Sequence, residues 1–278
     1  MIAFVGSVFS PYYARAIRKG ADDPEDHCAI NVALYGTGGH HWAMTERGKR
    51  NLQRDANRFA LGPSGLAWDG TSLTITVRER TTPFLTRLTG TIRFTPDRLL
   101  DQRFDLDAGA RHQWHPMAPS GRISVQMQHP AQSWNGHGYL DSNVGSRPIT
   151  EDFTAWDWSR AQTRGGPVMF YDVTRRDGTV LNLALGQDRE GALVSRAAPP
   201  PHLLKRTLWR VPRHARSDAE QPPQVALTLE DTPFYTRSLV ASRLDGEEVT
   251  MMHESLSLDR LRQRWVETLL PFRMPRLR

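Results

Sequence analysis

Three Asp-Gly pairs, Asp69-Gly70, Asp177-Gly178 and Asp245-Gly246, sit between runs of alternating apolar and polar residues. Asp-Gly favours the type I′ turn of a two-residue hairpin, whose central residues both need positive φ. The flanks agree. Leu73-Thr74-Ile75-Thr76-Val77 alternates after the first pair. The run 168–173 leads into the second, and 180–185 leaves it. Further strands are expected at 30–35, 90–94, 122–128, 207–211, 224–230, 235–243 and 249–258. With 21 Gly and 19 Pro to turn the chain, so many short strands imply an all-β protein, a sandwich or barrel of antiparallel strands. Helical signal is sparse: 261–270 is the best short amphipathic segment, and 46–56 is the next. The proline-rich stretch 197–201 and the polar run 213–223 read as long loops. Trp156-Asp157-Trp158 restarts the strand–hairpin–strand pattern. Two consecutive β domains are therefore expected, 1–150 and 151–278, with a seam at 148–153.

Composition narrows the function. At 38% hydrophobic and 24% charged residues the chain is ordinary globular protein. One cysteine, Cys28, excludes an internal disulfide and any zinc or iron–sulfur site built on cysteines. Of 36 basic residues only Lys19, Lys49 and Lys205 are lysines, and the formal net charge is +6. The arginines are scattered and no nucleic-acid-binding signature is present, so no nucleic-acid partner is expected. Apolar runs are well short of the roughly 18 residues that span a membrane. The apolar start, 1–9, lacks the basic region of a signal peptide and reads as a strand. Asp26-His27-Cys28 and His40-His41 have no third ligand at a recognised spacing, so no metal is expected. No GxSxG, P-loop or Rossmann fingerprint occurs.

The chemistry concentrates in 111–143. Residues i and i+2 of a strand share a face. His112 and Trp114 therefore point one way, as do His137, Tyr139, Asp141 and Asn143. If both segments face one cavity, an imidazole, an indole, a phenol and a carboxyl group converge. Taken singly, an aromatic on a strand is a packing residue and an Asp after a Gly-rich stretch is a turn residue. Trp134, His137, Trp156 and Trp158 are the candidate substrate-lining residues. Trp156 and Trp158, two apart, either close a core or line a long apolar pocket. The C-terminus joins Arg260, Arg262, Arg264, Arg273, Arg276 and Arg278 to Leu261, Trp265, Leu269, Leu270 and Phe272. That is the composition of an interfacial anchor, or equally of a solvated helix with a basic tail.

At these motifs the chain resembles the carotenoid 1,2-hydratases, also called hydroxyneurosporene synthases. The matching stretches are FVGSVFSPYYARA (4–16), DPEDHCAINVALYG (23–36), WAMTERG (42–48), GPSGLAWDG (62–70), WNGHGYLDSN (134–143), FTAWDWSRA (153–161) and MHESLSLDRLRQRWVETLLPFRMPR (252–276). The resemblance implies two tandem lipocalin-like β domains with a short C-terminal helix. It implies a cofactor-free enzyme that adds water across the terminal C1=C2 bond of acyclic carotenoids such as neurosporene and lycopene. It places the family's functional residues on His112, Trp114, Tyr139 and Asp141. Family members carry a further N-terminal segment ahead of the strand that opens with Ile2, so an unpaired sheet edge is expected there.

Hydrating such an alkene needs a proton at C2, which leaves a tertiary cation at C1 for water to capture. The donor must be a carboxylic acid held neutral, and Asp141 is the candidate. Trp114 and Tyr139 would steady the cation with their π faces, and Tyr139 would alternatively hydrogen-bond the acid. His112 would orient the water, accept its proton or return one to Asp141. The substrate must come from a membrane, so a peripheral protein on a cytoplasmic leaflet is expected, held through the C-terminal Arg/Leu/Trp segment. The rival readings are a non-catalytic carrier of an apolar ligand and a pericyclase or isomerase on the same fold.

Overall fold

The computed structural model describes residues 1–277 apart from 37, 189 and 219–220; Arg278 of the basic tail lies outside the described residues. Strands dominate, in several antiparallel sheets, and among the described residues no sheet closes into a barrel.

The chain forms two compact units. The first comprises Met1–Asp97, Gly121–Tyr139 and Arg264–Arg278. The second comprises Arg98–Ser120 and Leu140–Gln263. The expected single seam at 148–153 between domains 1–150 and 151–278 is thus corrected to an interleaved division. The reason is strand length. His112–His129 runs 18 residues and Gln132–Gly145 runs 14, and each changes unit along its course. The C-terminal helix returns to the first unit.

In the first unit a four-stranded sheet runs Ile2–Val5, Cys28–Leu34, His41–Arg47, Arg276–Leu277. Ile2–Val5 forms one edge of it. A second sheet contains Leu52–Arg54, Arg58–Leu61, Ser64–Trp68, Leu73–Arg80, Arg87–Pro96 and the Gly121–Tyr139 portions of the long strands. Cys28, Ile30, Val32 and Ala43 from the first sheet pack with Leu61, Val77, Leu88 and Val125 from the second. That is a sandwich core built from alternate positions of each strand. Glu79 occupies a core position in the alternating run Leu73–Arg80. It is tolerated because Arg47 grips both its oxygens, at 3.1 and 2.9 Å, and the Ser64 hydroxyl donates at 2.6 Å.

In the second unit a seven-stranded sheet runs Leu193–Ser195, Val180–Gln187, Gly166–Arg175, Phe153–Thr163, Glu247–Ser257, Tyr235–Leu244, Gln224–Asp231. One face packs Ala161, Val168, Phe170, Val240 and Met251 under Leu204 and Ala215. Ala215 lies on the small pair Pro201–Leu203 with His214–Arg216; Pro201 ends one of the stretches read as loops, and His214–Arg216 falls inside the other.

The turns are more varied than their shared dipeptide. Asp245 and Gly246 both have positive φ, 54° and 76°, and close the two-residue hairpin as expected. Only the glycine is positive at Asp69-Gly70 and Asp177-Gly178, and both loops hold four residues. Residues 46–56 are not a helix. They are the end of His41–Arg47, a single 3₁₀ turn and the strand Leu52–Arg54, because Glu46 and Arg47 are drawn into buried ion pairs. Residues 207–211 are not a strand. The helix Pro11–Arg18 was not expected. Its start is set by Ser10, whose hydroxyl accepts from the Tyr13 amide at 2.9 Å, and by Pro11 in the first turn. The C-terminal segment is helical at Leu258–Leu261 and Arg264–Arg273. No helix is long and apolar enough to cross a membrane.

Candidate active site

His112 and Trp114 lie on the start of the long strand His112–His129, both on its buried face. Asp141 lies, half-buried, on the neighbouring strand Gln132–Gly145. The Trp114 indole Nε1–H donates to Asp141 Oδ2 at 2.9 Å. Trp114 is fully buried, with Phe104 on one side at 5.7 Å between ring centroids and Tyr171 at 5.1 Å. Trp156 extends the aromatic group, 6.2 Å from Tyr171. The Tyr171 hydroxyl donates to Asn143 Oδ1 at 3.3 Å. Burial, with the charges of Asp141 and Glu254 adding, pushes this phenol far above its ordinary range. It therefore remains a protonated donor.

An indole N–H can only donate. Oδ2 of Asp141 is therefore the acceptor, and because a carbonyl oxygen accepts more strongly than a carboxyl hydroxyl, the bond favours Oδ1 as the protonated oxygen of the acid form. Held this way, the carboxyl group can give a proton in one defined direction.

His112 is organised differently from expectation. Its Nε2 lies 2.8 Å from Asp152 Oδ2, and its backbone N–H donates to Asp107 Oδ2 at 2.9 Å. Its ring packs 4.8 Å from Phe153. Among the described residues it makes no hydrogen bond to Asp141. Asp152 is gripped by Arg147, whose Nε donates at 2.7 Å, and by Arg111 at 2.9 Å. The hydrogen bond from Arg147, followed by that from His112, holds its carboxyl well below the usual carboxylate range. An ionised Asp152 places a proton on Nε2 of His112, so that in the neutral ring Nδ1 is the acceptor. A Cβ at Gly145 would stand 2.7 Å from that nitrogen, so glycine there keeps Nδ1 clear.

Tyr139 is two residues from Asp141 on the same strand and shares its face. Trp134 and His137 are exposed. Trp156 and Trp158 are half-buried, and Trp158 lies opposite Tyr171 in the strand register. Reading the residues one strand at a time missed Tyr171, Phe104 and Asp152. Tyr171 sits in a plain strand run, Gly166–Arg175, and only the packing of its ring against Trp114, 5.1 Å away, brings it into the group.

The opposite face of the seven-stranded sheet carries a second polar group. Ser255 Oγ donates to Asp157, and His253 Nε2 lies 3.1 Å from Ser255 Oγ. Burial lowers the pKa of His253 below the usual imidazole value.

A carboxyl group fixed by an indole N–H among aromatic rings, in an all-β chain, is suited to proton chemistry on an apolar ligand. The family model "Carotenoid hydratase CrtC" matches residues 1–278, and the chain belongs to this family. It is 51% identical over 279 residues to the acyclic carotenoid 1,2-hydratase of Thiocapsa roseopersicina, covering 100% of this chain and 69% of that one. It is 40% identical to the acyclic carotenoid 1,2-hydratase of Rhodobacter capsulatus, covering 99% of this chain and 97% of that one. Among solved structures, CghA with Sch210972 is similar with a TM-score of 0.47 and 12% identity, over 83% of this chain and 74% of that one.

Proposed function

We propose that Asp141 is the acid with which this carotenoid hydratase protonates C2 of the terminal C1=C2 bond of an acyclic carotenoid. The proton leaves Oδ1, while Oδ2 stays on the Trp114 indole. The alkene π electrons form the new C2–H bond, and a tertiary cation is left at C1. Water adds at C1 and gives up one proton to His112; His112 then loses that proton to solvent and the Asp141 carboxylate takes one from solvent, so the acid is restored with no net change in protons. Alkene and water balance the product alcohol, so no cofactor enters the step. The Trp114–Asp141 hydrogen bond is the observation that carries this reading.

Trp114 works here chiefly as a positioning residue, since its N–H is engaged and its ring is enclosed. Trp156, half-buried beside Tyr171, supplies aromatic surface near a developing positive charge, worth on the order of 0.5–2 kcal/mol, and the enclosed Tyr171 supports it. His112 Nδ1, oriented through Asp152, takes the proton of the adding water.

The substrate is a long hydrocarbon, so the enzyme works at a membrane surface, on the cytoplasmic side. Trp265, Leu269 and Phe272 support this. They are spaced to share one face of the helix Arg264–Arg273, and all three are exposed, while Val266 and Leu270 face inward.

The test is incubation of the purified chain with neurosporene or lycopene in liposomes in ¹⁸O-water, read by mass spectrometry. A labelled hydroxyl at C1 that disappears in Asp141→Asn is expected. Bound carotenoid with no change of mass would overturn the proposal and leave a carrier.

A further inference from the structure

The first unit carries a projecting turn that the hydration chemistry does not use. Strands Leu73–Arg80 and Arg87–Pro96 form a hairpin whose inner face supplies Ile75, Val77 and Leu88 to the core. The turn at 81–86 places Phe84 and Leu85 side by side on the surface, 85% and 57% exposed. Leu85 has φ 54°, a left-handed conformation that glycine or asparagine adopts more easily. Closing the turn does not call for leucine, and still less for an exposed phenylalanine beside it.

Behind the tip the outer face is basic. Arg80 stands directly opposite Arg87, with Arg78 one pair further back. Like charges placed directly opposite one another destabilise a sheet. Among the described residues no carboxylate pairs with Arg78, Arg80 or Arg87. These three border a cleft of about 710 Å³ together with Arg47, Gln128 and His129.

The tip is tied to the C-terminal helix. The Thr82 amide donates to the Trp42 carbonyl and the Thr82 hydroxyl to the Arg273 carbonyl, both at 3.0 Å. The Arg273 guanidinium stacks on the Trp42 ring at 4.3 Å. Phe272, 77% exposed, is the residue before Arg273 in the chain.

We infer that the 81–86 turn is a second membrane anchor, its Phe84 and Leu85 entering an anionic bilayer beside Phe272 while Arg78, Arg80 and Arg87 meet lipid phosphate. Two separate segments then offer apolar side chains, backed by cations with no carboxylate partner among the described residues, of which Arg80 also donates to the Leu85 carbonyl at 2.9 Å. This matches a surface of negative headgroups over hydrocarbon. The inference deepens the membrane reading made for the helix and rests on it.

Flotation of the full chain with vesicles of phosphatidylcholine, with and without phosphatidylglycerol, tests both. Phe84→Ser with Leu85→Ser is expected to lower the vesicle-bound fraction about tenfold or more, with unchanged circular dichroism. Arg80→Gln with Arg87→Gln is expected to remove the preference for anionic vesicles. A tip variant that floats like the wild type, while Trp265→Ala with Phe272→Ser does not, overturns the tip anchor and leaves the helix reading in place. A wild type that binds neither vesicle overturns both, as does a dimer that buries the patch. A second probe is a fluorophore on Phe84→Cys. Cys28 is buried and its thiol is pushed up to about 11, chiefly by burial, so the label goes to the new site. A blue shift and quenching by doxyl lipid are expected, and their absence overturns the proposal.

Discussion

The indole of Trp114 hydrogen-bonds one oxygen of Asp141 at 2.9 Å, and so favours the other oxygen of that carboxyl group as the one that carries a proton. Two residues 27 positions apart form a single unit: an acid and the group that aims it.

Asp141→Asn keeps the acceptor for the indole but has no acid proton. Hydration is expected to fall by about 10²–10⁴-fold with little change in melting temperature. Product analysis beside circular dichroism checks this; retained turnover would remove Asp141 as the donor.

Trp114→Phe keeps a ring between Phe104 and Tyr171 and deletes the N–H. Partial activity is expected, with a stability loss of about 1–3 kcal/mol. Trp114→Ala also empties a fully buried site, and should cost about 3–5 kcal/mol and most of the activity. Denaturant titration and rate measurements separate the two. Equal rates for both variants would show that the N–H, not the ring, is what matters.

Asp152 has a depressed folded-state pKa, so its contribution is fully present above the ordinary carboxylate pKa and is lost as pH falls below it. Asp152→Asn is expected to cost about 3 kcal/mol at neutral pH, since Arg147, Arg111 and His112 lose their shared partner. The gap between variant and wild type should narrow as pH falls below about 4. Melting curves across pH 3–7 measure it.

His253 is the opposite kind of group, a histidine kept neutral by burial. Unfolding lets it take up a proton, so stability should decline as pH falls below about 6.5. His253→Gln, uncharged throughout, should show a shallower decline between pH 7 and 5 in calorimetry.

Gly145→Ala would set a methyl group 2.7 Å from Nδ1 of a histidine that is almost fully buried. About 1–3 kcal/mol of destabilisation is expected, with reduced hydration. Unchanged activity would show that His112 Nδ1 plays no part in catalysis.

Much of this could be read from residue order. Alternation along Leu73–Arg80 and Tyr235–Leu244 marked strands correctly, and it separated the residues that face a core from those that do not. The same period of two put His112 with Trp114 and Tyr139 with Asp141 before any strand was paired. The helix Arg264–Arg273 was visible from its apolar spacing; of the apolar residues singled out there, Trp265, Leu269 and Phe272 are exposed, and Leu261 and Leu270 are buried. Helix Pro11–Arg18 escaped notice although Ser10 and Pro11 mark its start and its residues are amphipathic, because it is only eight residues long and follows directly on an apolar run that reads as a strand. The 46–56 segment misled because its charged residues suit a solvated helix until buried partners claim them.

Local order by itself determined which residues alternate, where the chain must turn and which polar and aromatic groups share a strand face. These follow from backbone geometry over a few residues. Tertiary structure alone decided that His112 is held by Asp152 and that Asp141 belongs to Trp114. It alone decided that Tyr171 completes the aromatic group and that Thr82 ties an apolar tip to the C-terminal helix. Each depends on register and packing between segments 27 to 191 residues apart. A period of two says which way a side chain points, and only the folded sheets settle what it meets.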